Sequence, residues 1–215
     1  MRVRIKICGI TDPSQAADAA AAGADALGLM FYAPSRRHLD IDQAANICRN
    51  VSPFVSKIGV MVNPDEEYVR GILERVPLTH LQFHGEEPAD FCASFGLPYI
   101  KGIRVADQTD LLSCESEYDS ASGILLDTFV SGEHGGTGKT FDWNRARYRG
   151  KKPVILAGGL NADNVCQAIE TAQPFAVDVS SGVETNRQKD PSKMIAFCQR
   201  VLGYHSMLGI NTESG

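Results

Sequence analysis

Eight short apolar runs recur along this 215-residue chain: VRIKI, ADALGLMF, VSKIGVMV, THLQF, YIKGI, GILLD, PVILA and FAVDV. Their recurrence restricts the fold more than any other feature. Each run suits a strand covered on both faces and is short for a helix. Almost all are followed by a polar loop and then a longer amphipathic or alanine-rich stretch, the signature of βαβ units and a parallel sheet. Eight such units in about this length predict an α/β fold, a single (β/α)8 TIM barrel over residues 1–204. An open doubly wound sheet is the alternative. It commonly has fewer strands and a Gly-x-Gly-x-x-Gly turn after the first, and no such turn follows VRIKI. The tail HSMLGINTESG, residues 205–215, carries little pattern and is expected to fray.

Helix starts agree with this division. Asp12 before Pro13, Asn63 before Pro64 and Asp190 before Pro191 each set a capping side chain next to a proline suited to the first helical position. Gly23 marks a stop after SQAADAAAA, and Asn161 precedes a helix over ADNVCQAIETA.

Composition removes several function classes. A formal charge of −5 without a dense Lys/Arg stripe argues against nucleic acid as a partner. An anionic small molecule needs only a local arginine and helix N-termini. The cysteines at 8, 48, 92, 114, 166 and 198 show no metal-ligand spacing, so no metal is expected. No stretch approaches membrane-spanning length, and the cytoplasm is the expected compartment.

In a barrel, chemistry gathers where the strands end. Cys8 closes the first strand and shares parity with Arg2, Arg4 and Lys6, while Val3, Ile5 and Ile7 share the other. If the branched residues face the helices, Lys6 and Cys8 point inward, where an ammonium would favour thiolate. An inert buried thiol is the plainer alternative. Asp127 closes GILLD, where burying a carboxylate is costly unless it is paired or used. It either serves as an acid with a raised pKa or caps the next turn through Thr128.

Arg36 and Arg37 follow the second strand, and a guanidinium there can hold a carboxylate bidentately or remain a solvated loop charge. Gly158 and Gly159 after strand seven, with Ser180, Ser181 and Gly182 after strand eight, occupy the loops where barrels often bind phosphate. GEHGGTGKT approximates a P-loop but has Glu133 where glycine is required, so it reads as a closing loop hinged at Gly135, Gly136 and Gly138. His84 is a substrate contact, a neighbour's orienter or a structural histidine. Asp178 lines the cavity or satisfies a core lysine.

The ordered set KICGIT, SRR, GVMVN, LQFHGEEP, LLDT, GGTGKTFDW, AGGLNADNV and FAVDVSSGVE, with KDPSKM after it, resembles phosphoribosylanthranilate isomerase, the barrel enzyme of tryptophan biosynthesis. The resemblance runs from Lys6 nearly to the end of the barrel. It implies an Amadori rearrangement of an aminoaldose phosphate to an aminoketose, with no cofactor. It also implies Cys8 as general base, Asp127 as general acid and Arg37 as the anchor for the anthranilate carboxylate. Gly158, Gly159, Ser180, Ser181 and Gly182 are then expected around phosphate, with Lys6, His84 and Asp178 in support. The implied partner is a small anionic substrate, and the chain is a monomer or homodimer. Departures from the family pattern are Met61, where an aromatic residue is common, and the long loop with Glu133 and His134 after Asp127. Three alternatives compete with this reading. A histidine-pathway isomerase would carry aspartate where Cys8 stands, indole-glycerol-phosphate synthase would show a lysine and glutamate pattern not seen here, and a non-catalytic sugar-phosphate-binding barrel would lack the pair.

Overall fold

Each of the eight apolar runs forms a strand: β1 (Arg4–Cys8), β2 (Ala26–Met30), β3 (Ser56–Met61), β4 (His80–Phe83), β5 (Tyr99–Arg104), β6 (Gly123–Asp127), β7 (Val154–Ala157) and β8 (Ala176–Val179). The structure is a computed structural model, described for residues 2–106, 108–127, 143–147 and 150–210. All neighbouring strands pair in parallel, and the ring closes where β1 meets β8, with Lys6 opposite Asp178. The expected (β/α)8 barrel is therefore the observed architecture.

The two strand parities sort into two apolar clusters. Val3, Ile5, Ile7, Leu27, Leu29, Leu81, Phe83, Leu156 and Val177 belong to the larger cluster, shared with helix residues such as Ala16, Ile47, Ile72 and Phe197. Cys8, Ile58, Val60, Ile100, Leu125, Ile155, Ala157 and Ala176 fill the interior of the ring. Burying one large aliphatic side chain is worth about 1.5–3 kcal/mol, so the layer between strands and helices carries most of the apolar stabilisation. The inward residues are left to shape the mouth.

Helices α1 (Pro13–Ala22), α2 (Ile41–Arg49), α3 (Glu66–Arg75), α4 (Ala89–Ala93), α5 (Leu111–Glu117), α6 (Val165–Ala172) and α7 (Pro191–Ile210) connect or follow the strands. Between β6 and β7 the described residues hold a 3₁₀ turn, Trp143–Ala146. Asp12 caps α1 as expected, accepting from the amides of Ser14 and Gln15, and Gly23 ends it in the left-handed region. Asp190 accepts from the Ser192 and Lys193 amides ahead of α7. That helix continues through 205–210, residues expected to fray.

Two caps lie elsewhere than the sequence suggests. Asp65, not Asn63, caps α3. Asn63 is bound instead by the loop after β4, where its Oδ1 accepts from the Glu86 amide and its own amide donates to Glu87. Asn161 organises the turn before α6, accepting from the amides of Asp163 and Asn164, while Asn164 holds the cap position.

A short antiparallel hairpin, β9 (Glu184–Thr185) and β10 (Gln188–Lys189), stands between β8 and α7. Its two turn residues, Asn186 and Arg187, both have positive φ, as a tight hairpin whose twist matches its strands requires. The turn places Lys189 directly opposite Glu184.

Candidate active site

The C-terminal ends of β6, β7, β8, β1 and β2 form a continuous arc of the ring. Along it lie, in order, Asp127, the Gly158–Gly159 turn, the Ser180–Gly182 turn, Cys8, and the loop bearing Arg37. All of these residues stand at or just after strand C-termini, on one side of the ring.

Cys8 faces inward and is 7% exposed. Its thiol fits because the facing residue on β2 is Gly28, where a Cβ would stand 2.6 Å from Sγ. Below it, Lys6 Nζ donates to Asp178 Oδ2 at 2.8 Å, and both side chains are almost fully buried. The other Asp178 oxygen has no hydrogen-bond partner among the described residues. Burial opposes the Lys6 ammonium, but Asp178 and Cys8 hold its pKa above the ordinary value.

For Cys8 the balance corrects the sequence reading. Burial pushes the thiol above its ordinary pKa, and the Lys6 charge offsets this only in part. Lys6 does act in the expected direction. Desolvation, together with the Asp178 charge beneath, outweighs it, so the resting side chain is a thiol.

Asp127 ends β6 partly buried, and its Oδ2 lies 3.3 Å from His84 Nε2. His84 follows β4, two strands away, and its ring crosses over Gly102 of β5 to reach the carboxylate. Its Nδ1 lies 3.2 Å from Gln82 Nε2. With the Gln82 amide nitrogen turned to Nδ1, the ring directs Nε2 at the Asp127 carboxylate. His84 and Asp127 thus meet across β5, the contact expected if His84 orients a neighbour. Thr128 and the segment 132–140, with Glu133, His134, Gly135, Gly136 and Gly138, lie outside the described residues.

In the loop after β7, Gly158 and Gly159 adopt φ of 92° and 63°, a pair of left-handed residues that turns the chain sharply. The Ser180 hydroxyl donates to the Cys8 carbonyl at 3.0 Å, stapling the end of β8 to that of β1. Ser181 opens a single 3₁₀ turn, Ser181–Val183, and Gly182 packs against the Leu160 carbonyl of the preceding loop.

Arg37 sits where the chain after β2 folds back, with His38 bridging to Met30. It does not project freely. Its Nε and Nη2 donate to Glu184 Oε1 and Oε2 at 2.7 and 2.9 Å. The same carboxylate receives Arg36 at 2.9 Å and Lys189 at 2.8 Å. Glu184 is 5% exposed at its side chain. Burial alone would raise its pKa, but Arg37 and Lys189 bring it down to about 2. Three cations on one carboxylate leave surplus positive charge at this edge of the mouth, in a chain whose formal charge is −5.

Glu184 and Lys189 are the site residues that sequence reasoning missed. The available signal was a glutamate placed directly after the buried Val183. Gln82 was also missed, although it shares strand parity with His84. No group of three or more metal-ligating side chains occurs among the described residues, and no described helix is long and apolar enough to cross a membrane.

The family model for N-(5'phosphoribosyl)anthranilate (PRA) isomerase matches residues 5–200. An N-(5'-phosphoribosyl)anthranilate isomerase from Thiobacillus denitrificans is 51% identical over 199 residues, covering 92% of this chain and 97% of the relative. The crystal structure of phosphoribosyl anthranilate isomerase from Thermotoga maritima is similar with a TM-score of 0.83 at 38% identity, over 94% of this chain and 99% of that one. A crystal structure of the isomerase in complex with reduced 1-(o-carboxyphenylamino)-1-deoxyribulose 5-phosphate has a TM-score of 0.80 at 37% identity, with the same coverage.

Proposed function

Since the chain belongs to the N-(5'-phosphoribosyl)anthranilate isomerase family, we propose that Cys8 and Asp127 divide the proton transfers of that family's reaction. The enzyme converts N-(5-phosphoribosyl)anthranilate to 1-(2-carboxyphenylamino)-1-deoxyribulose 5-phosphate in tryptophan biosynthesis. It is an intramolecular oxidoreductase: C1 of the sugar is reduced as C2 is oxidised. Atoms and electrons balance within the substrate, so no step calls for a cofactor.

Asp127 protonates the furanose ring oxygen while the anilino nitrogen pushes its lone pair toward C1. The C1–O bond breaks and leaves an iminium. Cys8 thiolate then removes the C2 proton, and the resulting enolamine tautomerises to the aminoketose. Burial holds the resting Cys8 side chain as a thiol; it releases its proton to solvent once the iminium stands beside it, because a nearby positive charge favours the thiolate. Arg37 holds the anthranilate carboxylate. Gly158, Gly159 and the Ser180, Ser181 and Gly182 turn hold the phosphate, placed between acid and base along the arc.

The observation that carries this reading is the placement of Cys8 and Asp127 on β1 and β6, with both phosphate-side loops between them around the ring. The test follows the loss of substrate fluorescence in purified Cys8→Ala and Asp127→Asn variants. Each is expected to lose about 10²–10⁴-fold in turnover. A variant that keeps turnover close to the parent's removes that residue from its role.

The partner is the small anionic substrate, with neither nucleic acid nor membrane, and the protein acts as a monomer or homodimer. The cytoplasm is proposed as its compartment, supported by six unpaired cysteines, which suit a reducing environment. Recovery of the protein in an oxidising compartment after cell fractionation would refute that placement.

A further inference from the structure

The loop after β2, the turn after β8 and the β9–β10 hairpin are joined by one carboxylate. Glu184 takes Nε and Nη2 of Arg37 and also Nζ of Lys189. Lys189 donates in turn to the Ser180 carbonyl at 3.0 Å, and Ser180 donates to the Cys8 carbonyl. Lys193 completes the cluster by donating to the Glu184 carbonyl at 2.8 Å.

We propose that Glu184 is a positioning residue for substrate recognition. Its carboxylate fixes one edge of Arg37 so that the other edge can receive the substrate carboxylate, and through Lys189 it ties that arginine to the phosphate-side turn. The proposal rests on the reading of Arg37 as the carboxylate anchor.

A guanidinium has two edges that can each take a carboxylate through a pair of parallel hydrogen bonds. In Arg37 the Nε–Nη2 edge is occupied by Glu184, and Nη1 has no hydrogen-bond partner among the described residues. The Nη1–Nη2 edge therefore remains for a second carboxylate. The stem lies close over Gly9. A Cβ on Gly9 would stand 2.2 Å from Arg37 Cδ and 3.3 Å from Ser180 Oγ, so arginine and serine flank the residue next to Cys8.

Charge decides between a holding and a competing role. Glu184 neutralises only one of the three cations whose side chains touch it, so a second anion beside Arg37 still meets positive charge. Glu184 is the group that orders these cations. It does not replace the substrate.

The test compares kcat/KM for the substrate with kcat/KM for its aniline analogue, which lacks the carboxylate. This ratio does not depend on the folded fraction of a preparation. Arg37→Ala is expected to lower it by about 100-fold and Glu184→Gln by about 10-fold, the range for a hydrogen bond to a charged group. In the Arg37→Ala background, Glu184→Gln should have no further effect, because it acts through the arginine. Glu184→Asp, shorter but still charged, should fall between parent and Glu184→Gln, and it replaces the glutamine variant if that fails to fold.

If Arg37→Ala lowers the ratio but Glu184→Gln leaves it within about 2-fold of the parent, below the span of even one such bond, the positioning role is wrong and the anchor stands. A further fall in the double variant shows that Glu184 acts independently and also overturns the proposal. An unchanged ratio in Arg37→Ala refutes the anchor, and the positioning role with it.

Discussion

Substituting alanine for Gly28 would move the proposed base without altering any group assigned to the chemistry. The new Cβ would stand 2.6 Å from Cys8 Sγ, 3.0 Å from its Cα and 3.2 Å from its Cβ. Ordinary contact begins near 3.4 Å, so the sulfur would have to retreat by about 0.8 Å or the β1–β2 spacing would have to open. Crowding against the Cys8 backbone limits how far rotation of the thiol alone can relieve the clash. Overpacking of this kind costs about 1–3 kcal/mol, which for a chain of this size lowers Tm by roughly 2–12 °C. Misplacing a reacting group by about 1 Å costs on the order of 10²-fold in rate. Gly28→Ala should therefore melt cooperatively a few degrees low, keep KM within about 3-fold because the carboxylate and phosphate contacts lie elsewhere, and lose about 10–100-fold in kcat. Steady-state kinetics with a thermal melt on the same preparation decides it. A folded variant with parental kcat would show that the sulfur's position is not critical and would sink the assignment of Cys8 as base.

Replacing Lys6 with methionine removes the charge that opposes burial at Cys8. The ascending limb of kcat/KM against pH, which reports deprotonation of the base in the free enzyme, should move to higher pH, and an unmoved limb would refute the electrostatic role of Lys6. His84→Ala should lower kcat by about 10-fold with KM little changed, since it frees a carboxylate from one orienting hydrogen bond; the same kinetics on the variant checks this, and a pure KM effect would make His84 a substrate contact instead. Glu184 is depressed from 4.5 to about 2, a displacement of roughly 3 kcal/mol. That contribution is complete above the unfolded-state value and is lost as pH falls through the folded one, so Glu184→Gln should melt lower at pH 7 and converge on the parent between about pH 5 and 2; a pH-independent gap between the two melting curves would contradict it. Lys101→Met strands the buried Glu87 carboxylate, which Lys101 meets at 2.6 Å, and denaturant unfolding should show a loss of about 3–5 kcal/mol. A loss below about 1 kcal/mol would mean that the pair is worth no more than an exposed one.

Much of the fold was legible because strands buried on both faces read as unbroken apolar runs and because parity assigns each residue a side. Parity puts Lys6 and Cys8 inside the ring, where the structure has them. It reached Asp178 only as a choice between lining the cavity and satisfying a lysine, and the structure shows the lysine to be Lys6. Capping patterns were less secure. Asn63 and Asn161 carry the residue types of helix caps, but each is used by a loop, and nothing local distinguishes the two uses. Glu184 was illegible for another reason. Its partner Arg37 is 147 positions away, and the hairpin that brings Lys189 opposite it depends on Asn186 and Arg187, non-glycine residues in a conformation few sequences announce. The net direction at Cys8 was misjudged because a sequence shows a neighbouring charge but not how much water the site has lost.

The seam between β1 and β8 gives this barrel a chronology. Lys6 and Asp178 are 172 residues apart, as are Cys8 and Ser180. At about 5–20 residues per second of synthesis, the first strand waits roughly 10–35 s after emerging before its last neighbour has been made. Until then Lys6 lacks its counter-ion and the Cys8 carbonyl its donor, while the later helices that cover the ring do not yet exist. A half-finished chain cannot yet assemble the proposed base with its surroundings. Catalytic competence in this enzyme is thus a late event of chain closure, and a nascent or truncated barrel would present an unassembled mouth to its substrate.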